Sequence, residues 1–489
     1  MKKIIMHKYF LPKTFFSFLK FTCSILFFIA YTSSTKAQLP YTINQFGYDS
    51  ILNISYGQAT DYAGNQVNLL MDIYKPKMDS NCLRPIIILV HGGAWIAGSK
   101  EDANMVLMSR EFAKKGWVVA NMNYRLGTHK AATYNMYAFC NNSISAPCGY
   151  ISDSAEIYRA NFRGMQDAKG AIRFMKNRHE LDSSDVNNVF IAGESAGAFI
   201  AYATAFTDQA NEKSPLCNAI ADAPNPDNSL NFYGCIPTNN NLSRPDLGSI
   251  DGDLNLGAFD ASVKGIGGFY GAAFDLSIIN QLTDTPCVYM FHQGSDVVVN
   301  YQYGRILGRT SWECYAQTNL CQSYFFYPHA YGSESLKQYY SSLGSAAPVH
   351  QADVVYNYNY LNNCFSNGHA IDNFNLRVQN MTNLFANKIA LSSNNLSTNC
   401  SLLNVNSTEQ RQKNMLIYPN PAFNQITLKV PYNRVGSTYK LFDYTGKLML
   451  SAIIISENTI IDVNHLQNGI YLICMGNDNE CQQFSVLSK

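Results

Sequence analysis

An excess of charge of either sign is what this 489-residue sequence lacks: 36 Lys and Arg stand against 35 Asp and Glu, a formal net charge of +1. So even a balance offers no basic stripe for a nucleic-acid backbone and no acidic tail. Long apolar runs are nearly absent as well. The one that stands out, residues 21–31, is bounded by Lys20 and by Thr32-Ser33-Ser34. It falls short of the roughly 20 apolar residues that a membrane-spanning helix needs. Cys-x-x-Cys spacings and accompanying His pairs are missing, which removes the usual zinc frameworks. A disordered chain is excluded from the other side, because 47% of the residues are apolar.

What is present divides the chain unevenly. Residues 1–37 hold six lysines and no acid, so 30 basic residues face 35 acidic ones in the remainder. A lysine-bearing start, the apolar stretch 21–31, and Thr35 and Ala37 before Gln38 predict an export signal over 1–37, removed on maturation. Export gives the 13 cysteines a meaning: without Cys23, twelve remain in a compartment where disulfides persist. Proximity suggests the pairs Cys140–Cys148, Cys217–Cys235, Cys314–Cys321 and Cys474–Cys481.

Length allows two or three domains. Between residues 67 and 391, short β-branched runs alternate with amphipathic stretches, which predicts an α/β domain around a mainly parallel sheet. Strands are expected at 69–74, 86–90, 117–122, 189–192, 263–269, 287–292 and 352–358, several of them apolar throughout, as strands covered on both faces should be. Residues 166–178 have a helical period, with Ala168, Ala171, Ile172 and Met175 on one face. Two polar stretches, 128–159 and 215–260, interrupt the alternation and read as surface excursions of the kind that shape pockets. Residues 392–412 form a polar linker. Over 413–489 only short period-two runs and turns follow, at 426–430, 439–443, 459–463 and 470–474, which predicts a small β-sandwich.

The strongest chemical signal is Gly193-Glu194-Ser195-Ala196-Gly197, set between a strand ending at Ala192 and a small-residue helix from Ala198. Glycines two before and two after the serine permit a tight strand-to-helix turn that lifts its hydroxyl above the sheet edge, so Ser195 is the expected nucleophile. His91-Gly92-Gly93-Ala94-Trp95 follows the strand at 86–90, where side-chain-free residues let backbone amides approach a developing oxyanion. The expected donors are the amide of Ala196 with one or two from Gly92, Gly93 and Ala94. His91 reads as a loop-ordering residue, since the base comes last in the chain order of such sites. A serine needs a base, and the base an orienting carboxylate. Asp296, just past the strand at 287–292, fits the acid better than Asp275 or Asp284, which precede it. For the base, His329 has the usual spacing from Asp296. His369 has the better position, after the strand at 352–358 and before the closing helix at 374–391.

These residues, together with Asp72-Ile73-Tyr74-Lys75-Pro76, Gly98-Ser99-Lys100, Asn123-Tyr124-Arg125-Leu126 and Gln166-Asp167-Ala168, resemble the α/β-hydrolase superfamily. The likeness is to its carboxylesterase and lipase branch with a His-Gly-Gly-x-Trp loop, which includes secreted feruloyl and acetyl esterases. It covers about two-thirds of the chain, 67–391. By that resemblance residues 38–391 adopt an α/β-hydrolase fold with a mainly parallel central sheet, and Ser195, Asp296 and His369 form the triad. The insertion at 215–260 and the long segment between Asp296 and His369 depart from the family pattern.

The tail has its own resemblance. Tyr418-Pro419-Asn420-Pro421, Asp443-Tyr444-Thr445-Gly446-Lys447 and Leu466-Gln467-Asn468-Gly469-Ile470-Tyr471 are similar to the C-terminal sorting domain read by the type IX secretion system. This implies the secretion machinery as a partner, transport across both membranes, and release or attachment at the outer cell surface. A carbohydrate-binding β-sandwich is the other reading of the tail, and no aromatic cluster in it favours sugar stacking. The expectation for the whole is a secreted serine esterase acting on a small-molecule or polysaccharide-linked ester, with neither metal nor organic cofactor. A serine peptidase of the same fold is one alternative, although no propeller-like repeat accompanies it. A silent surface binding protein is the other.

Overall fold

The fold comes from a computed structural model that describes residues 39–129, 151–223, 241–280, 285–309, 327–357, 368–392, 415–430, 434–443, 445–475 and 480–487. The expected signal peptide (1–37) lies outside the described residues, as do Cys140, Cys148, Cys235, Cys314 and Cys321 and all but the first residue of the expected linker. Two compact units divide the chain, residues 1–399 and 400–489.

In the first unit the wholly apolar strands take the middle of an eight-stranded sheet. Its strands are β1 (Gly47–Thr60), β2 (Gln66–Lys77), β3 (Arg84–Val90), β4 (Val118–Met122), β5 (Ser184–Glu194), β6 (Gly265–Phe269), β8 (Cys287–Gln293) and β11 (His350–Val355), in the spatial order β1-β2-β4-β3-β5-β6-β8-β11. The β1–β2 and β2–β4 pairs are antiparallel and the other five parallel. A parallel sheet needs helices on both faces, and β3 shows how one strand serves both. Ile86, Ile88 and Val90 face α2 (Ala155–Asn177), α3 (Ala196–Phe206) and α4 (Ser333–Leu343), while Ile87 and Leu89 face α1 (Ala103–Lys114) and α5 (Phe374–Ser392). All five are fully buried, each worth about 1.5–3 kcal/mol relative to exposure. Strand order and layering are those of the α/β-hydrolase fold. A small antiparallel sheet, β7 (Ala272–Ala273), β10 (His329–Gly332) and β9 (Tyr303–Arg305), is built from segments that follow β6 and β8.

In the first unit three departures from the sequence-based expectations matter most. Strand β1 was not expected: it is a polar edge strand with only Tyr56 buried, so it lacks the alternation that betrays a strand. Helix α2 begins at Ala155, eleven residues before the expected start, inside the stretch read as a surface excursion. All but three of its 23 residues are buried, charged ones included. Arg159 donates to the carbonyls of Leu216 and Asn218, Gln166 to those of Leu247 and Ser249, Lys169 to that of Thr207, and Arg173 to those of Asp251 and Leu254. Lys176 reaches Asp260 at 2.7 Å. A stripe that sequence periodicity reads as solvated is thus a row of donors that pins the described parts of 207–260 against the helix. Third, Cys217 is not paired with Cys235. It is a free thiol beside Phe162, Met165 and Ile250, and burial pushes its pKa up to about 12.

The motifs that carried the family resemblance find one another. Lys100 meets Asp72 at 2.9 Å with both side chains buried. Arg125 grips the fully buried Asp167 through its guanidinium and its own backbone N–H.

The second unit has two antiparallel sheets. β12 (Leu416–Tyr418), β13 (Gln425–Lys429) and β16 (Asn458–Asp462) form one, in that order. β15 (Leu448–Ile453), β14 (Thr438–Asp443), β17 (Gly469–Met475) and β18 (Glu480–Val486) form the other. Ile426, Leu428 and Ile461 from the first pack with Leu441, Ile473 and Phe484 from the second, so this is a small sandwich with one core. Cys474 and Cys481 face each other across β17–β18 and are disulfide-bonded, the pairing that proximity suggests. Strands β12, β15 and β18 were not expected.

Candidate active site

Ser195 caps the turn between β5 and α3 with φ 52° and ψ −121°, a region that side chains disfavour. Two glycines make the turn possible. A Cβ on Gly193 would overlap the backbone of Gly197, and one on Gly197 would overlap the carbonyls of Val90 and His91. Ser195 N–H donates to the carbonyl of Phe269 at 2.9 Å, which ties the turn to the end of β6.

His369 and Asp296 reach this serine from distant segments. His369 Nε2 lies 2.9 Å from Ser195 Oγ, and its Nδ1 lies 2.8 Å from Asp296 Oδ2. Gly368, at φ +26°, brings the preceding backbone so near Ser295 and Asp296 that a Cβ there would overlap them. Asp296 is fully buried. Burial alone would raise its pKa, but the facing charge of His369 and hydrogen bonds from His292 and His369 outweigh that and hold the carboxyl down at about 2. Its other oxygen, Oδ1, accepts the backbone N–H groups of Val298 and Val299 at 2.8 and 3.0 Å. His329, the other candidate base, lies in β10 with its ring stacked on Tyr303 at 5.4 Å, and no bond joins it to Ser195 or Asp296.

The expected oxyanion loop presses against Ser195: a Cβ on Gly92 would stand 3.2 Å from both Glu194 O and Ser195 Cβ. Gly93, Ala94 and Trp95 take φ values of 103°, 52° and 61°, a rare run of positive angles that turns the loop over. Among the described residues, the amides of Gly92, Gly93, Ala94 and Ala196 donate to no main-chain acceptor of loop or helix. His91 is buried under this loop with Nδ1 2.7 Å from Gly92 O and its ring stacked on Tyr124, and burial lowers its pKa. Trp95 anchors the far side, donating to Asn161 at 3.2 Å and packing on Phe199 and Phe274. Beyond Phe199, a cavity of about 720 Å³ opens between α2 and α3, lined in part by Phe162, Met165, Tyr202, Leu216 and Phe274.

Three neighbours were not singled out from sequence. Tyr270 sets its ring edge on His369 at 4.6 Å, and Glu194, whose pKa burial raises, is hydrogen-bonded by Tyr270 and Asn104. His292 donates into the far side of Asp296. Only the His292-x-x-x-Asp296 spacing hinted at it, and a strand-end histidine carries no sequence signal of turning back. Among the described residues, no group of three or more His, Cys, Asp or Glu side chains is placed to hold a metal ion. No described helix is long and apolar enough to cross a membrane.

Residues 71–163 match the family model BD-FAE, and residues 416–487 match that of the Secretion system C-terminal sorting domain, which indicates export to the cell surface or exterior. Isoprenylcysteine alpha-carbonyl methylesterase of Arabidopsis thaliana is 29% identical over 150 residues, 31% of this chain and 27% of that one. Gut esterase 1 of Caenorhabditis elegans is 28% identical over 141 residues, 29% of this chain and 21% of that one. The chain thus spans about a quarter of the length of these curated relatives. Among solved structures, a truncated form of carbohydrate esterase from gut microbiota is 16% identical, covering 72% of this chain and 100% of that one at a TM-score of 0.37. Thermogutta terrifontis esterase 2 phosphorylated by paraoxon is 15% identical, covering 70% and 94% at 0.37.

Proposed function

We propose that this chain is an exported serine hydrolase that cleaves carboxylic esters through an acyl-enzyme. The observation that supports it most is the unbroken hydrogen-bond path from Ser195 Oγ through His369 to a buried, ionised Asp296, beside a loop of unengaged amides. In this reading Ser195 Oγ attacks the acyl carbon while His369 Nε2 takes its proton. The imidazolium so formed keeps its Nδ1–H on Asp296, which fixes the tautomer and stabilises the charge. Charge developing on the acyl oxygen meets the amide of Ala196 and those of the Gly92–Ala94 loop, donors that need no reorganisation. Collapse breaks the ester C–O bond, and the alkoxide leaves with the proton from His369. Water then repeats the sequence on the acyl-serine and releases the acid.

Fold and triad do not choose between ester and amide. The matched relatives bear esterase names, and the family model covers the segment 71–163 that includes the oxyanion loop; the names favour the ester. Export by the tail makes the secretion machinery the expected partner and places the reaction outside the cell. The test is turnover of p-nitrophenyl acetate and butyrate by wild type and Ser195→Ala. The variant is expected to lose about 10⁵- to 10⁶-fold in kcat, and equal turnover by both proteins would overturn the reading.

A further inference from the structure

We propose that His292 is a positioning residue for the acid of this site, an inference that rests on the ester-hydrolase reading above. Its ring is fully buried at the end of β8, where it makes three contacts. Nε2 lies 3.1 Å from Asp296 Oδ2 and 3.0 Å from the carbonyl of Val299. Nδ1 lies 3.1 Å from the hydroxyl of Ser333, the first residue of α4, itself fully buried.

The chemistry of these partners fixes the protons. A carbonyl oxygen can only accept, and an ionised carboxylate can only accept, so the hydrogen sits on Nε2 and is shared between them. With a single ring hydrogen, on Nε2, Nδ1 is left as an acceptor for the Ser333 hydroxyl. A directed chain results: Ser333 donates to His292, His292 donates to Asp296 Oδ2, and His369 donates to that same oxygen from the other side. Oδ1 is meanwhile filled by the amides of Val298 and Val299. Every lone pair of the carboxylate is engaged, and among the described residues only His292 shares Oδ2 with His369.

Two consequences follow. His292 joins Asp296 and Val299 through one nitrogen, so a single ring holds both the carboxylate and the turn on which it rides. It also draws part of the charge of Oδ2 away from His369. The other ionisable groups near this chain are Tyr270, whose ring edge meets His369, Glu194, which Tyr270 bonds, and Arg309, whose guanidinium donates to the carbonyls of Gly294 and Asp296. Glu334, next to Ser333, is engaged by Tyr356 and Gln338.

The test pairs His292→Leu, which removes the donor, with His292→Gln, whose amide N–H can replace Nε2–H. Leu at this position is expected to lower kcat about 10- to 100-fold, the loss of one hydrogen bond to a charged group. KM should stay within about twofold, because substrate does not touch the ring. With Oδ2 left to His369 alone, protonated His369 is better stabilised, so the acid limb of the kcat/KM profile should move to higher pH. Gln should restore most of kcat and return the limb. Wild-type kcat and limb in His292→Leu would overturn the proposal, and so would equal impairment by Leu and Gln, which marks a packing role. If His292→Leu does not fold, ¹⁵N NMR of the wild-type imidazoles decides: the Nε2–H tautomer of His292 is expected, and the Nδ1–H tautomer refutes the chain. That readout needs no turnover, so a wild type that neither hydrolyses esters nor is labelled at Ser195 by a p-nitrophenyl phosphonate counts against the ester reading alone.

Discussion

Replacing Asp296 by Asn tests the site at its most constrained atom. The carboxylate accepts four N–H groups, two on Oδ1 from Val298 and Val299 and two on Oδ2 from His292 and His369. An amide of the same shape offers one oxygen and one NH₂. If the oxygen stays on the backbone side, the NH₂ faces two imidazole N–H groups; His292 keeps the carbonyl of Val299, but His369 is left a buried donor without an acceptor, at a cost of about 1–3 kcal/mol. His369 escapes by moving its proton to Nε2, where it points at Ser195 and can no longer accept. The expected loss is about 10⁴-fold in kcat, the size seen when a triad carboxylate is made an amide and the wrong tautomer results. The same substitution changes acid stability. In wild type the carboxyl lies at about 2 against an ordinary 3.8, so it contributes about 2 kcal/mol that is fully present above pH 3.8 and lost as pH falls through 2. Asp296→Asn removes that titration, and its unfolding free energy should therefore fall less steeply between pH 4 and 2. The assays are p-nitrophenyl acetate kinetics at pH 7 to 8 and urea unfolding across the acid range. A variant with more than a tenth of wild-type kcat, or one with an unchanged acid slope, would refute the reasoning.

Ser195→Gly should be inactive yet more stable by about 1 kcal/mol, because glycine accepts the φ and ψ that strain a serine. A thermal melt that shows the variant no higher than wild type would contradict the strain. Cys217 and Cys287 are buried thiols whose pKa values burial pushes up to about 12. Neither should react with iodoacetamide in the native protein and both should in denaturant, and native alkylation of Cys217 on mass analysis would place it outside the core described here.

Much of the site was legible because its chemistry is written in local backbone demands. Gly193 and Gly197 are needed wherever a serine must stand on a turn this tight, so the candidate nucleophile could be named from five residues. The base was harder. His329 and His369 both follow Asp296, and only the position of β11 between them favoured the second. The start of α2 was misplaced because Arg159 counts as a surface residue by type, whereas here backbone carbonyls satisfy it inside the fold. The Cys217–Cys235 pairing failed for a related reason: closeness in sequence says nothing about which way a thiol faces.

The sequence by itself determined the sorting tail, the order of strand and helix, and the candidate nucleophile with the loop opposite it, since each rests on composition or on short local runs. Tertiary structure alone decided which histidine serves Ser195, what fills the second side of Asp296, and why a charged helix can be buried. Those rest on pairings between residues 41, 73 and 174 positions apart in the chain or held across packed elements. Hydrogen-bond geometry is set within a few tenths of an ångström, a scale that only the folded sheet and its helices can fix.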